Sequence, residues 1–300
     1  MPVVAIFGPT ASAKSAVALE LAERIGGEIV SCDAMQLYAG LPILTNQPSA
    51  AAAARVPHHL VAVWDTGHAG SVAEYAALAH TAIDAVLARG RIPVVCGGSG
   101  LYLRAALADM PLPPRVGAAE RARFEHLYDR TGAEAAHAQL VAADPVAAAA
   151  VHPNDRRRVV RALELHAAGS TLAPARDRLW GSDRRHPTIV IGLDVPAPLV
   201  AERIARRTRA MLERGVVDEV RAARRERTFS ITAERIHGLN DVTDLLAGRI
   251  DADEAERRIV VRTRRYAKRQ RTWMRRLPGL EPVAGDRDAA VIAAVIAEAL

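Results

Sequence analysis

The 300-residue chain holds two cysteines and two lysines, and each scarcity narrows what it can be. Cys32 and Cys96 each close an apolar, strand-like run, where a thiol packs as a small hydrophobe. Neither a disulfide framework nor metal-ligand spacing is present. No apolar run reaches the roughly 18 residues of a membrane helix, and the opening MPVVAIFGPT lacks the basic start of a secretion signal. A cytosolic protein with no membrane partner is therefore expected. The shortage of lysine points elsewhere. Among 40 Lys plus Arg, Lys14 and Lys268 are the two lysines, so a lysine marks a position where arginine was not used.

Half of the residues are hydrophobic and a quarter charged, as in ordinary globular proteins. The length allows one large core, or a core with a smaller appended domain. A net charge of +6 fits a polyanionic partner, although charge alone speaks only to association. Its distribution says more. Ten Arg or Lys residues lie between Arg257 and Arg276 with no acidic residue among them. A solvated helix face mixes signs, so this stretch is expected to meet phosphates.

Val3 to Phe7 is apolar and β-rich, Gly8-Pro9 breaks it, and Ser15 to Ile25 has helical spacing. Further apolar strands are predicted at Glu28 to Cys32, His59 to Trp64, Pro93 to Cys96 and, as the last one, Thr188 to Val195, with a helix over Val72 to Ala88. Continuously apolar strands alternating with helices predict an α/β fold with a parallel sheet flanked by helices. Ligands in such sheets sit beyond the carboxyl ends of the strands. The Gly8 turn, Asp33 and Gly97 to Gly100 all fall there. Residues 111–187 open with Pro111, Pro113 and Pro114 and then turn helical, so they are expected to form a helical insertion domain in a core made of 1–110 and 188–300. Leu199 to Arg225 and Ala252 to Arg276 read as two long helices.

Gly8-Pro9-Thr10-Ala11-Ser12-Ala13-Lys14-Ser15 stands between a buried strand and a helix start, the place of a phosphate-binding loop. Backbone N–H groups and the positive helix terminus attract phosphate there, Lys14 adds a point charge, and the Ser15 hydroxyl can ligate Mg²⁺. Alanine replaces the usual glycine at position 13; if the backbone there has positive φ, the cost is on the order of 1–2 kcal/mol. A turn with no phosphate is the alternative. Asp33 can serve as general base, as Mg²⁺ ligand or as the N-cap of a helix starting after it. Gly97-Gly98-Ser99-Gly100 is equally a ligand-facing turn or a plain strand-to-helix turn. Asp155 ahead of Arg156, Arg157, Arg158 and Arg161 reads as the cap of a helix with a basic face.

Taken together, the loop at Gly8 to Ser15, Asp33 to Leu41 with Thr45, Gly97 to Tyr102, His152 to Glu164 and Thr263 to Trp273 resemble the tRNA dimethylallyltransferase family, in the family's order from residue 8 to residue 273. The resemblance implies a P-loop NTPase-like fold whose helical insertion binds the anticodon loop. It implies transfer of a dimethylallyl group from dimethylallyl diphosphate, with Mg²⁺, to the N6 amine of an adenosine just 3′ of the anticodon in tRNA. By matched position Asp33 is the general base, Thr10 and Arg207 stabilise the departing pyrophosphate, and Gly8, Thr10, Ala11, Ser12, Ala13, Lys14 and Ser15 hold the diphosphate. The tRNA contacts implied are Asp33, Ala34, Met35, Gln36, Ser99, Arg121, Arg157, Arg158 and Arg161, to which the basic stretch adds Arg264, Arg265 and Lys268. A monomer is expected. The sequence departs from the family pattern at Ala13, Ala34, Ser99, Leu239 and Asn240. Three rivals stay open: a P-loop kinase of a nucleoside or metabolite, an isopentenyltransferase acting on free AMP or ADP, and a non-catalytic nucleic-acid binder.

Overall fold

The computed structural model describes every residue except 111, 113, 115 and 173–180, so Pro111 and Pro113 lie outside the described residues. The described residues divide into two compact units, Met1–Asp109 with Ser182–Leu300, and Met110–Gly181.

The first unit is built on β1 (Val3–Phe7), α1 (Lys14–Ile25), β2 (Glu28–Ser31), α2 (Pro42–Thr45), α3 (Ala50–Arg55), β3 (His58–His59), α4 (Val72–Ala88), β4 (Pro93–Gly97) and α5 (Gly100–Leu107). The second unit carries α6 (Ala118–Thr131), α7 (Ala133–Ala143), α8 (Pro145–Ala149) and α9 (Arg156–Ala167). The chain then supplies β5 (Thr188–Asp194), α10 (Ala197–Glu213), α11 (Val216–Glu226), α12 (Leu239–Leu246), α13 (Ala252–Met274), β6 (Leu280–Ala284) and α14 (Ala289–Glu298) to the first unit.

All six strands run parallel in the order β3-β2-β4-β1-β5-β6. Every residue of β1, β2 and β4 is buried, which is why β1 and β4 read as continuous apolar runs rather than alternating ones. On one face Val4, Ile6, Ile29 and Val94 pack against Val17 and Leu21 of α1 and Ile292 and Ile296 of α14. The parallel register brings the ends of β1, β2 and β4 to one edge, and the chain turns there into the Gly8 loop, Asp33 and Gly98.

Three expectations need correction. The strand expected over His59 to Trp64 is confined to His58–His59, because Leu60 and Ala62 take left-handed backbone at φ 60 and 54° and end the extension. Thr188 to Val195 is not the last strand: β6 comes after it at the sheet edge, largely solvent-facing and interrupted by Pro282, hence lacking an apolar signature. The single helix expected over Leu199 to Arg225 is two, since Gly215 at φ 88° closes one and opens the other.

In the second unit Ala136, Leu140, Val159, Val160 and Leu163 form a small separate core. Asp155 caps α9 by accepting the Arg158 N–H at 3.2 Å, as the sequence allowed.

Candidate active site

A cavity of about 160 Å³ opens beyond the carboxyl ends of β1, β2 and β4. Its wall includes Thr10, Lys14 and Ser15 from the loop, Asp33, Met35 and Gln36 after β2, and Arg207 from α10. These residues lie as far as 197 positions apart and meet because parallel strands deliver their ends to the same edge. Gly8, Ala11, Ser12, Ala13, Ala34 and Ser99 are close in sequence to the wall without lining it.

The loop is shaped by strain. Ala11 and Ala13 both adopt left-handed backbone, at φ 62 and 64°, so the positive φ that the missing glycine raised as a question is present. Ala13 is the N-terminal cap position of α1, which makes Lys14 and Ser15 the first residues of the helix and leaves their N–H groups at its positive end. A Cβ on Gly8 would stand 2.7 Å from the Ser12 hydroxyl buried beneath it, so a larger residue there would force the loop or Ser12 to shift.

Lys14 Nζ donates to the Pro9 carbonyl at 3.4 Å. Burial lowers the Lys14 pKa below its ordinary value, and the Asp33 carboxylate opposes that shift, so the two side chains share one electrostatic environment. Thr10 and Arg207 are in contact: Arg207 Nη1 donates to the Thr10 hydroxyl at 3.3 Å. Asp33 does not cap a helix, contrary to one of its sequence readings. It accepts the Met35 N–H at 3.0 Å and so fixes a tight turn. Ser31 donates to Gln36 Oε1 at 2.9 Å and Gln36 Nε2 to the Asn46 carbonyl at 2.7 Å, holding that turn against the segment after it.

Burial pushes the Cys96 thiol up to about 12, so this cysteine on the cavity wall stays protonated and inert. Tyr266 and His237 complete one side of the wall with ring centroids 4.6 Å apart. Burial holds His237 below its ordinary pKa; Arg269 and Arg262 push the same way and Asp33 opposes them. The imidazole is therefore neutral near pH 7.

In the stretch Gly97 to Gly100, Gly97 borders the cavity while Gly98 and Gly100 serve packing. A Cβ on Gly98 would stand 2.1 Å from Gln270 Nε2, and one on Gly100 2.2 Å from the Trp273 ring, so these glycines let α13 lie against the strand ends. Gln270 and Tyr266 lie inside the run Thr263 to Trp273 but, like His237, had no role of their own in the sequence. The signal for Gln270 was its place at helical spacing with Ile259, Thr263 and Met274, an apolar stripe along an otherwise basic helix.

The basic stretch is only partly free. Arg257 and Arg258 bond to Glu254, Arg262 lies 3.3 Å from Asp241, and Arg271 lies 3.7 Å from Asp194. Arg264, Arg265 and Lys268 face solvent, and Arg265 and Lys268 have no ion-pair partner among the described residues. In the second unit Arg157 and Arg158 are exposed, whereas Arg161 and Arg121 are half-buried and engage Glu164, at 3.1 and 3.8 Å.

No cluster of three His, Cys, Asp or Glu able to hold a metal ion exists among the described residues. Ser15 and Asp33 both border the cavity and are oxygen donors of the kind Mg²⁺ would take. No helix among the described residues is long and apolar enough to cross a membrane.

A family model described as IPP transferase matches residues 36–277, and one described as Isopentenyl transferase matches residues 1–56. A tRNA dimethylallyltransferase of Streptomyces coelicolor is 44% identical over 287 residues, covering 94% of this chain and 90% of that protein. Its counterpart from an Anaeromyxobacter species is 41% identical, covering 99% of this chain and 98% of that protein. The crystal structure of the full-length tRNA isopentenylpyrophosphate transferase from Bacillus halodurans superimposes with a TM-score of 0.71 at 34% identity, covering 99% of this chain and 96% of that one. With its P-loop-like parallel sheet, its cavity at the strand ends and these matches over nearly its whole length, the chain belongs to the IPP transferase family of tRNA dimethylallyltransferases.

Proposed function

We propose that this protein transfers a dimethylallyl group from dimethylallyl diphosphate to the N6 amine of an adenosine beside the anticodon of tRNA, releasing pyrophosphate. The carrying observation is that Thr10, Lys14, Ser15, Arg207 and Asp33 line one cavity. A diphosphate cradle and a carboxylate facing the same space are what displacement at an allylic carbon requires.

The N6 lone pair is delocalised into the purine and attacks weakly. Asp33 accepts the N6 proton as the new N–C bond forms, a general-base contribution worth roughly 10²–10⁴-fold. The C–O bond to the diphosphate breaks and its electron pair leaves with pyrophosphate. Lys14, the helix N-terminus and the Thr10–Arg207 pair meet that charge as it grows. Ser15, with Asp33 on the same cavity wall, would hold Mg²⁺, which when bound would supply further neutralisation of the diphosphate. The Asp33–Gln36 turn, with Ala34 and Met35 in it, is assigned to the incoming nucleotide. A target base must leave its stack to reach such a cavity, and phosphate contacts offset that cost. Arg264, Arg265 and Lys268 on α13, Arg121, Arg157, Arg158 and Arg161 in the second unit, and Ser99 are assigned to tRNA. The reading takes the protein as a cytoplasmic monomer.

Incubation with radiolabelled dimethylallyl diphosphate, Mg²⁺ and either unmodified tRNA or AMP tests it. Label in tRNA and not in AMP is the expected result. Label in AMP alone assigns the chain to free nucleotides, and label in neither overturns the proposal.

A further inference from the structure

Gln270 is 3% exposed, on the face of α13 opposite the exposed Arg264, Arg265 and Lys268. Both ends of its amide are used. Oε1 accepts the Thr10 N–H at 2.7 Å, and Nε2 donates to the Gly98 carbonyl at 2.8 Å. Thr10 in turn accepts from Arg207 at 3.3 Å through its hydroxyl. One side chain thus ties the basic helix to the diphosphate loop and to the turn after β4. The absent Cβ of Gly98 leaves the room it occupies. The amide accepts at one end and donates at the other, which neither an ionised glutamate nor an apolar side chain of the same length reproduces.

A rigid helix cannot move its basic face without moving the opposite one, and a shift of about an ångström breaks a 2.7 Å hydrogen bond. We infer that Gln270 is a positioning residue for prenyl transfer, setting Thr10 in register with Arg207 from the helix that carries the basic stripe, so that tRNA on that stripe and pyrophosphate in the loop strengthen each other's binding. The inference rests on the tRNA prenylation reading above.

The test measures pyrophosphate affinity, with Mg²⁺, in the presence and absence of unmodified anticodon stem-loop RNA. Wild-type protein is expected to bind pyrophosphate at least about fivefold tighter with RNA, a coupling of ordinary size. In Gln270→Met that ratio falls to within about twofold of one, kcat drops roughly ten- to a hundredfold, and KM for tRNA moves less than about threefold. Gly98→Ala, which crowds the Gln270 amide from the other side, reduces the ratio in the same direction. A merely structural role would lower the melting temperature and leave the ratio unchanged in the folded fraction. A ratio near one in wild-type protein, or an undiminished one in Gln270→Met, overturns the inference. Should wild-type protein transfer label to tRNA without coupling, the positioning idea fails alone; should it transfer none, the functional reading fails first.

Discussion

The Gly8–Ser15 loop and the basic helix α13 both present positive charge at the protein surface or in its cavity, yet they are built in opposite ways. The loop uses one lysine, partly buried, and relies on backbone N–H groups held by left-handed alanines. The helix carries many arginines, exposes some, and neutralises others with acids from outside the run: Glu254, Asp241 and Asp194. Fixed dipoles in a confined space act on charge that appears during reaction. Mobile surface charges act on affinity and are screened by salt. Chemistry should therefore be lost first from the cavity side chains and tRNA binding first from the exposed face of the helix, with Gln270 on the buried face as the link between them.

The largest expected separation comes from Asp33→Ala. Transfer should fall on the order of 10²–10⁴-fold, while tRNA affinity measured by filter binding stays within about threefold. Equal losses in both would erase the distinction. Alanine at Arg264, Arg265 and Lys268 together should do the reverse: weaker tRNA binding, on the order of tenfold at physiological salt, and a log–log salt slope shallower by about three. Arg257→Ala is the control. Its guanidinium already pairs with Glu254 on the surface, so its removal should change tRNA affinity less than about twofold.

The same contrast governs what the sequence disclosed. The strand, loop and helix at Val3 to Ile25 were legible because local signals agree: a buried apolar run, a glycine break and a lysine at a helix start. Asp33 and Arg207 could be placed in one site only through the resemblance, since nothing local records that α10 crosses the loop. Pairing of the α13 arginines was illegible for the same reason, as Asp241 and Asp194 are distant in sequence. Gln270 was hidden by its neighbours' charge, and β6 by its exposure. The left-handed Leu60 and Ala62 carry no glycine to announce them.

A smaller effect is expected from Lys14. Burial holds its pKa below 10.5, with Asp33 pulling upward. In the free protein the unfolded chain thus binds this proton more tightly, so Lys14's contribution to folded stability rises as pH climbs toward 10.5. Pyrophosphate affinity runs the other way, because it needs the charged amine. Calorimetric titration of pyrophosphate from neutral pH upward should show affinity falling before the ordinary lysine value is reached, and Lys14→Met should remove that pH dependence. A wild-type profile parallel to that of the variant would mean the loop backbone alone carries the anion.

The smallest effect probes the strain that shapes the loop. Ala13 sits at φ 64°, where an L-residue with a Cβ costs roughly 1–2 kcal/mol. Glycine removes that cost but frees the unfolded chain, which offsets roughly 0.4–1 kcal/mol of the gain. Ala13→Gly should then stabilise the protein by about 0.5–1 kcal/mol, a rise in Tm of a few degrees or less by calorimetry. Pyrophosphate affinity should hardly move, because the same left-handed geometry is kept and the Lys14 N–H stays at the helix start. A gain in affinity larger than the gain in stability would show that alanine distorts the cradle itself, and that the loop's precision, unlike the helix's charge, is set one torsion at a time.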